Sequence, residues 1–104
     1  MGLLSFLGFG QSAIKKALKN GAVIIDVRTP HEFDQGHVRE AIHIPLDRIA
    51  ASVDRIKQMN CPIIFCCASG ARSGKAVEIM KSKGMKEVYN GGSWEGVIKL
   101  QNVI

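Results

Sequence analysis

Residues 62–80 read Pro-Ile-Ile-Phe-Cys-Cys-Ala-Ser-Gly-Ala-Arg-Ser-Gly-Lys-Ala-Val-Glu-Ile-Met. Pro62 to Cys66 is a short, unbroken apolar run, the pattern of a strand buried on both faces. Ala76, Val77, Ile79 and Met80 then recur at helical spacing, and Gly84 supplies a stop. Between strand and helix lies a tight stretch of small residues from Cys67 to Ser73, with Gly70 at its centre. A strand that feeds a small-residue loop into a helix is the building unit of an α/β sheet, whose ligands bind beyond the carboxyl ends of the strands.

The same alternation extends in both directions. Upstream, residues 12–19 place Ala13, Ile14, Ala17 and Leu18 on one face of a short helix, with Gly21 just beyond. Ala22 to Val27 is a second buried-type strand. Thr29-Pro30-His31-Glu32 offers a cap, a proline at the first helical position and a capping box, so a short helix starts there and ends by Gly36. A brief strand from Ala41 to Ile44 stops at Pro45, and Leu46 to Met59 carries Ile49, Val53 and Ile56 at the spacing of one helix. Downstream, Glu87-Val88-Tyr89 predicts a last strand, followed by Asn90-Gly91-Gly92-Ser93-Trp94 and a terminal helix. The expected fold is α/β, a mainly parallel sheet with helices on both faces. The expected organisation is an apolar segment over residues 1–11 and one domain over residues 12–104.

The chain has 104 residues, with 46% hydrophobic and 22% charged, which suits a folded domain and argues against disorder. Its three cysteines, Cys61, Cys66 and Cys67, are odd in number and two are adjacent, so a disulfide framework is not expected. No CxxC pair with a second ligand pair appears, and His31, His37 and His43 are not spaced to hold one metal. Free thiols point to a reducing, cytoplasmic setting. The apolar start, Met1 to Gly10, lacks the charge pattern of a secretory signal and is too short to span a membrane. It is expected to pack on the domain or on a partner rather than lie on a membrane. A formal charge of +5 helps draw small anions, while scattered basic residues and 6% aromatics argue against nucleic acid.

Cys67 is the expected reactive group. A thiol becomes a nucleophile only as thiolate, and a helix N-terminus favours that form through unpaired amides and the positive end of the helix dipole. Gly70 permits a curve that turns backbone N–H groups inward. Ala68, Ser69 and Ala71 leave room for an oxyanion, and Arg72 adds a cation. The competing view, an inert buried cysteine followed by a turn, leaves the combination of Cys, Gly and Arg at this junction unexplained.

Four segments in the right order are similar to the single-domain rhodanese-like sulfurtransferases. Asp26-Val27-Arg28 resembles that family's motif after its first central strand. Glu32-Phe33 and Gly36-His37-Val38, followed by Ala41 and Ile44-Pro45, resemble its second signature. Cys67-Ala68-Ser69-Gly70-Ala71-Arg72-Ser73 is similar to its active-site loop, and Gly91-Gly92 followed by Trp94 to its terminal element. The resemblance runs from about residue 12 to the end. It implies the rhodanese fold and sulfane-sulfur transfer from a donor such as thiosulfate to a thiophilic acceptor, cyanide or another thiol, through a persulfide on Cys67. It implies no metal and no organic cofactor. Its alternatives are a small phosphatase or arsenate reductase on the same fold, or a binding module that relays sulfur without turnover.

Two adjacent cysteines leave the loop open to two counts. Five residues separate Cys66 from Arg72, as in related phosphatases; four separate Cys67 from Arg72, as in the sulfurtransferases. Gly70 lies three after Cys67, and strand alternation turns Cys66 away from the direction shared by Phe65 and Cys67, so Cys67 is the expected nucleophile. Cys66 is expected as a buried apolar filler, with a resolving thiol as the alternative. Cys61 is given no chemistry. Ala68, Ser69, Gly70, Ala71, Arg72 and Ser73 are the expected substrate-binding positions; for Arg72 a brace to an acidic residue is the alternative, for Ser73 a helix cap. Asp26 and Arg28 are expected to support neighbouring loops through hydrogen bonds, His37 to pack, and Trp94 to serve as core or pocket wall.

Overall fold

The computed structural model describes residues 2–104, with side chains from residue 10 onward. Four parallel strands, β1 (Val23–Asp26), β2 (Ile42–His43), β3 (Ile63–Cys67) and β4 (Val88–Ser93), form one sheet in the order β2-β1-β3-β4. β1 and β3 are central, which explains their unbroken apolar sequences: alternate residues face different helical layers and both directions are buried. On one side Ile25, Phe65 and Cys67 pack with Ile49, Ile56, Ala76 and Met80. On the other, Ile24, Ile64 and Cys66 pack with Ile14, Ala17 and Val97.

The first side is covered by α3 (Leu46–Ile49), α4 (Val53–Gln58) and α5 (Ala71–Ser82). The second is covered by α1 (Gly2–Lys19) and α6 (Trp94–Val103). α2 (Pro30–Asp34) has the expected capping box, in which Thr29 Oγ1 accepts from the Glu32 amide while the Glu32 carboxylate accepts from the Thr29 amide. α6 starts from Ser93, whose hydroxyl accepts from the Gly96 amide at 3.0 Å. Sheet and two helical layers are thus the α/β architecture that the alternating pattern implies.

Three elements differ from the sequence reading. The helix expected over 12–19 begins at Gly2, so residues 2–11 of the expected N-terminal segment are not separated from it by a break; how the side chains of residues 1–9 pack lies outside the described residues. The helix expected from Leu46 to Met59 is divided by a 3-10 turn at Ala50–Ser52. There Ser52 Oγ donates to the Arg48 carbonyl at 2.8 Å, and the Ser52 backbone (φ −105, ψ 10) leaves the α region. The last strand extends four residues past the apolar signal and takes in Asn90, Gly91, Gly92 and Ser93. Among the described residues no helix is long and apolar enough to cross a membrane.

Candidate active site

β3 ends at Cys67 and α5 starts at Ala71, so the chain turns through Ala68, Ser69 and Gly70 alone. Gly70 makes the turn possible. It occupies the N-cap position at φ +103, ψ −10, a region that side-chain-bearing residues avoid. That geometry aims its amide at Cys67 Sγ, N to S 3.0 Å, while the Ser73 amide approaches the same sulfur at 3.5 Å. Ser73 Oγ lies 3.4 Å from Sγ. Burial pushes the Cys67 thiol up, but donation from the Ser73 hydroxyl and from the Ser73, Ser69 and Gly70 amides outweighs it, and the thiol lies below its ordinary range. The sulfur stands in an amide cradle at a helix N-terminus, the arrangement that favours a thiolate.

Cys66 has the opposite surroundings. It is fully buried in the α1–α6 layer among Ile14, Ala17 and Val97, where desolvation and the Asp26 charge push its thiol up to about 12. Neighbours in sequence, the two cysteines therefore face different helical layers. Cys61 is half-buried at the other end of β3, in a separate cleft with Lys57 and Lys86.

Arg72 is engaged by protein rather than left free. Its guanidinium forks onto Glu32, Nη1 to Oε1 at 2.7 Å and Nη2 to Oε2 at 3.0 Å, and ties the loop to α2. Of the two roles read from sequence, this geometry is that of the brace. The Arg72 partner, with the Thr29 amide behind it, holds the Glu32 carboxyl down at about 2. Ala68, Ser69 and Ala71 lie exposed on the rim of the loop. Ser73 is buried on the first turn of α5 and caps nothing, since Gly70 holds the N-cap position.

Asp26 and Arg28 form a second, buried support. Arg28 Nε lies 3.0 Å from both Asp26 carboxylate oxygens and Nη2 lies 2.7 Å from Oδ2; Nη2 also donates to the Gly36 carbonyl at 2.6 Å. The guanidinium stacks 4.7 Å above the Trp94 ring, so β1, the end of α2 and the start of α6 meet on one cation. His43 Nε2 donates to the Arg28 carbonyl at 2.7 Å, and His37 stacks on Phe33 with ring centres 3.8 Å apart. Among the described residues no cluster of His, Cys, Asp or Glu could hold a metal ion.

Sequence reading assigned Asn90 no role. In the fold its Nδ2 donates to the Gly70 carbonyl at 3.0 Å, and its Oδ1 accepts from the Ser73 hydroxyl at 2.7 Å and from the Gly92 amide at 2.9 Å. Asn90 thus joins the sheet to both halves of the loop. Its only signal in the sequence is a polar residue at the end of an apolar strand, next to two glycines. Two clefts flank the loop: about 570 Å³ beside Arg28, Arg48 and Arg72, and about 470 Å³ beside Ser69, Gly70 and Lys99.

Thiosulfate sulfurtransferase PspE of Escherichia coli (strain K12) is 38% identical over 77 residues, 70% of this chain and 71% of that protein. Uncharacterized protein YqhL of Bacillus subtilis (strain 168) is 38% identical over 82 residues, 75% of this chain and 64% of that protein, so the chain spans less than two thirds of YqhL. A solved rhodanese with anions from E. coli superposes with a TM-score of 0.67 at 32% identity, over 73% of this chain and 91% of that one. The family model for the rhodanese-like domain matches residues 11–99, and the chain belongs to that family.

Proposed function

We propose that this chain is a sulfurtransferase of the reducing cytoplasm, moving sulfane sulfur from thiosulfate or a persulfide donor to cyanide or a thiol through a persulfide on Cys67. One observation carries the reading: Cys67 Sγ lies 3.0 Å from the Gly70 amide and 3.5 Å from the Ser73 amide at the start of α5. Three free cysteines support the reducing setting. The thiolate attacks the outer sulfur of thiosulfate; a new S–S bond forms, the old one breaks, and sulfite leaves with the electron pair. The acceptor then attacks the terminal sulfur, and Cys67 departs as thiolate. A covalent intermediate divides the transfer into two easier displacements. The amides that face Sγ offset negative charge on the thiolate before the first step and on the persulfide after it.

Cys67 has no accessible surface, so a donor enters only as the rim at Ala68 to Ala71 widens. Arg72, Arg28 and Arg48 border one adjoining cleft, where Arg72 is already paired with Glu32 and Arg28 with Asp26. The five-residue spacing from Cys66 to Arg72 favours the phosphatase alternative only if Cys66 reacts. Its burial against α1 and α6, with a thiol pushed up to about 12, speaks against that.

Incubation with thiosulfate and cyanide is expected to yield thiocyanate, and mass spectrometry of the donor-treated protein to find one added sulfur on the Cys67 peptide. Cys67→Ser abolishes both; Cys66→Ser retains most of the turnover. No thiocyanate together with cleavage of an aryl phosphate would replace this reading with the phosphatase. Sulfur loading without turnover would replace it with a relay module.

A further inference from the structure

The Ser73 hydroxyl has one proton and two neighbours that can take it. Asn90 Oδ1 is 2.7 Å away and Cys67 Sγ is 3.4 Å away. The Asn90 amide cannot turn over to evade this competition. Its Oδ1 is held by the Gly92 N–H at 2.9 Å, and its Nδ2 is held by the Gly70 carbonyl at 3.0 Å; a flip would oppose donor to donor and acceptor to acceptor. An oxygen is therefore fixed in front of Ser73, and the hydroxyl that meets it must donate. In that arrangement Ser73 Oγ shows the sulfur a lone pair, which suits a thiol, S–H to Oγ. When Cys67 is a thiolate, the best use of the same proton is the opposite one, O–H to sulfur.

We propose that Asn90 is a positioning residue for Cys67 that acts through Ser73: its side-chain oxygen competes with the Cys67 sulfur for the one hydroxyl proton of Ser73. Ionisation of Cys67 then includes a rotation of the Ser73 hydroxyl. The thiol proton leaves to solvent, the Ser73 O–H turns from Asn90 Oδ1 to the sulfur, and Oδ1 keeps the Gly92 amide as its donor. Asn90 thereby holds part of the population as thiol, and the same competition applies to the terminal sulfur of any anion formed on Cys67. The inference deepens, and rests on, the reading of Cys67 as the reacting thiol.

Other titratable and charged groups lie on the elements around the sulfur. Its own strand carries Cys66, and its own loop and α5 carry Arg72 and Lys75. β1 and the turn after it carry Asp26 and Arg28, α2 carries Glu32, and α3 carries Asp47 and Arg48. α6 carries Lys99 beside Ser69, while β4 presents Asn90 and Tyr89 with no charged side chain.

The experiment is a double-mutant cycle on the ionisation of Cys67, read as the pH dependence of iodoacetamide alkylation. The background is Cys61→Ala/Cys66→Ala, where Cys67 is the sole thiol. Thermal unfolding of each variant reports whether it is folded. Asn90→Ala is expected to lower the Cys67 midpoint by about one pH unit, a roughly tenfold gain in thiolate at pH values below it. In Ser73→Ala the same Asn90 substitution is expected to leave the midpoint where it was, because no hydroxyl remains to be redirected. An Asn90→Ala midpoint that is unchanged or raised overturns the proposal. So does a shift of equal size in the presence and absence of the Ser73 hydroxyl, which marks Asn90 as a loop brace only. Should Asn90→Ala fail to fold, Asn90→Asp keeps both acceptor interactions and adds a charge. It is expected to raise the midpoint more when Ser73 is present than in Ser73→Ala, and equal shifts refute the coupling. Alkylation reads the sulfur directly, so these outcomes stand whether or not thiocyanate is formed, and failure of sulfur transfer is recognised separately.

Discussion

Gly70→Ala separates the two duties of the loop glycine, and their sum is bounded by the structure. A Cβ built at Gly70 would lie 3.4 Å from Gly92 Cα and 3.9 Å from the Asn90 amide atoms, so space exists for the methyl group. The penalty is in the backbone. At φ +103 an alanine occupies a sparsely populated conformation that costs about 1–3 kcal/mol. If the loop keeps its shape, that whole penalty falls on stability, and Tm drops by about 4–8 °C for each kcal/mol. If the loop relaxes instead, the Gly70 amide leaves Sγ, and the sulfur loses a hydrogen bond that stands at 3.0 Å. A bond to a charged acceptor is worth about 1.5–3 kcal/mol, which raises the Cys67 midpoint by about one to two pH units. Thermal unfolding and alkylation against pH, on the same sample, weigh the two losses together. An alanine variant with an unaltered Tm and an unaltered alkylation midpoint would refute the assignment of strain and cradle to this residue.

The remaining predictions concern the supports of the loop. Glu32→Gln keeps a capping-box side chain but removes the charge that faces Arg72. Because the folded Glu32 carboxyl is held at about 2, below its ordinary range, its contribution is present above that range and lost as pH falls towards 2. The Tm gap between wild type and Glu32→Gln should therefore be constant at neutral pH and close by about pH 2, and a gap that widens in acid contradicts the sign. Asp26→Asn leaves Arg28 buried without its counter-charge, with side-chain exposures of 5% and 0% for the pair. Urea unfolding should show a loss of about 3–5 kcal/mol, and a loss below about 1 kcal/mol would mean that Gly36 and Trp94 suffice to hold the guanidinium. Gly91→Ala places a methyl group 2.7 Å from Ile64 Cγ2 and 2.9 Å from Val97 Cγ2, and denaturant unfolding should register about 1–3 kcal/mol of overpacking. A neutral result there would show that α6 moves freely relative to β3.

Layers, strands and the loop were open to reading because each rests on local chemistry. β1 and β3 announce themselves by unbroken apolar runs, α2 by its capping box, and the loop by a glycine three residues after a cysteine at the end of a strand. What escaped the sequence is non-local. Arg72 and Glu32 are 40 positions apart, and nothing in their own neighbourhoods decides between an anion and a carboxylate as the partner of the guanidinium. Asn90 lies 17 positions from Ser73 and 20 from Gly70, and reads locally as an ordinary turn residue ahead of two glycines. The break at Ala50–Ser52 was hidden for another reason: Ile49, Val53 and Ile56 keep helical phase across it, so the apolar period reports a helix where the backbone has a 3-10 turn.

The position of Asn90 depends on an irregularity in the sheet, and this ties the fold to the thiol. Phe65 lies opposite Asn90 but Cys67 lies opposite Ser93, so three steps along β4 match two along β3. The extra residue falls at Gly91-Gly92. Gly91 is the position where a Cβ would strike Ile64, Val97 and the Phe65 carbonyl, so only glycine lets the bulged strand stay against β3. A regular ladder would carry β4 straight past the end of β3. The bulge instead folds β4 back, brings the Gly92 amide round onto Asn90 Oδ1, and leaves Ser93 free to cap α6. The same two glycines therefore fix the orientation of the Asn90 amide and start the helix that buries Cys66. A substitution at Gly91 should consequently reach the Cys67 midpoint through Asn90 and Ser73, although it touches neither the loop nor the sulfur.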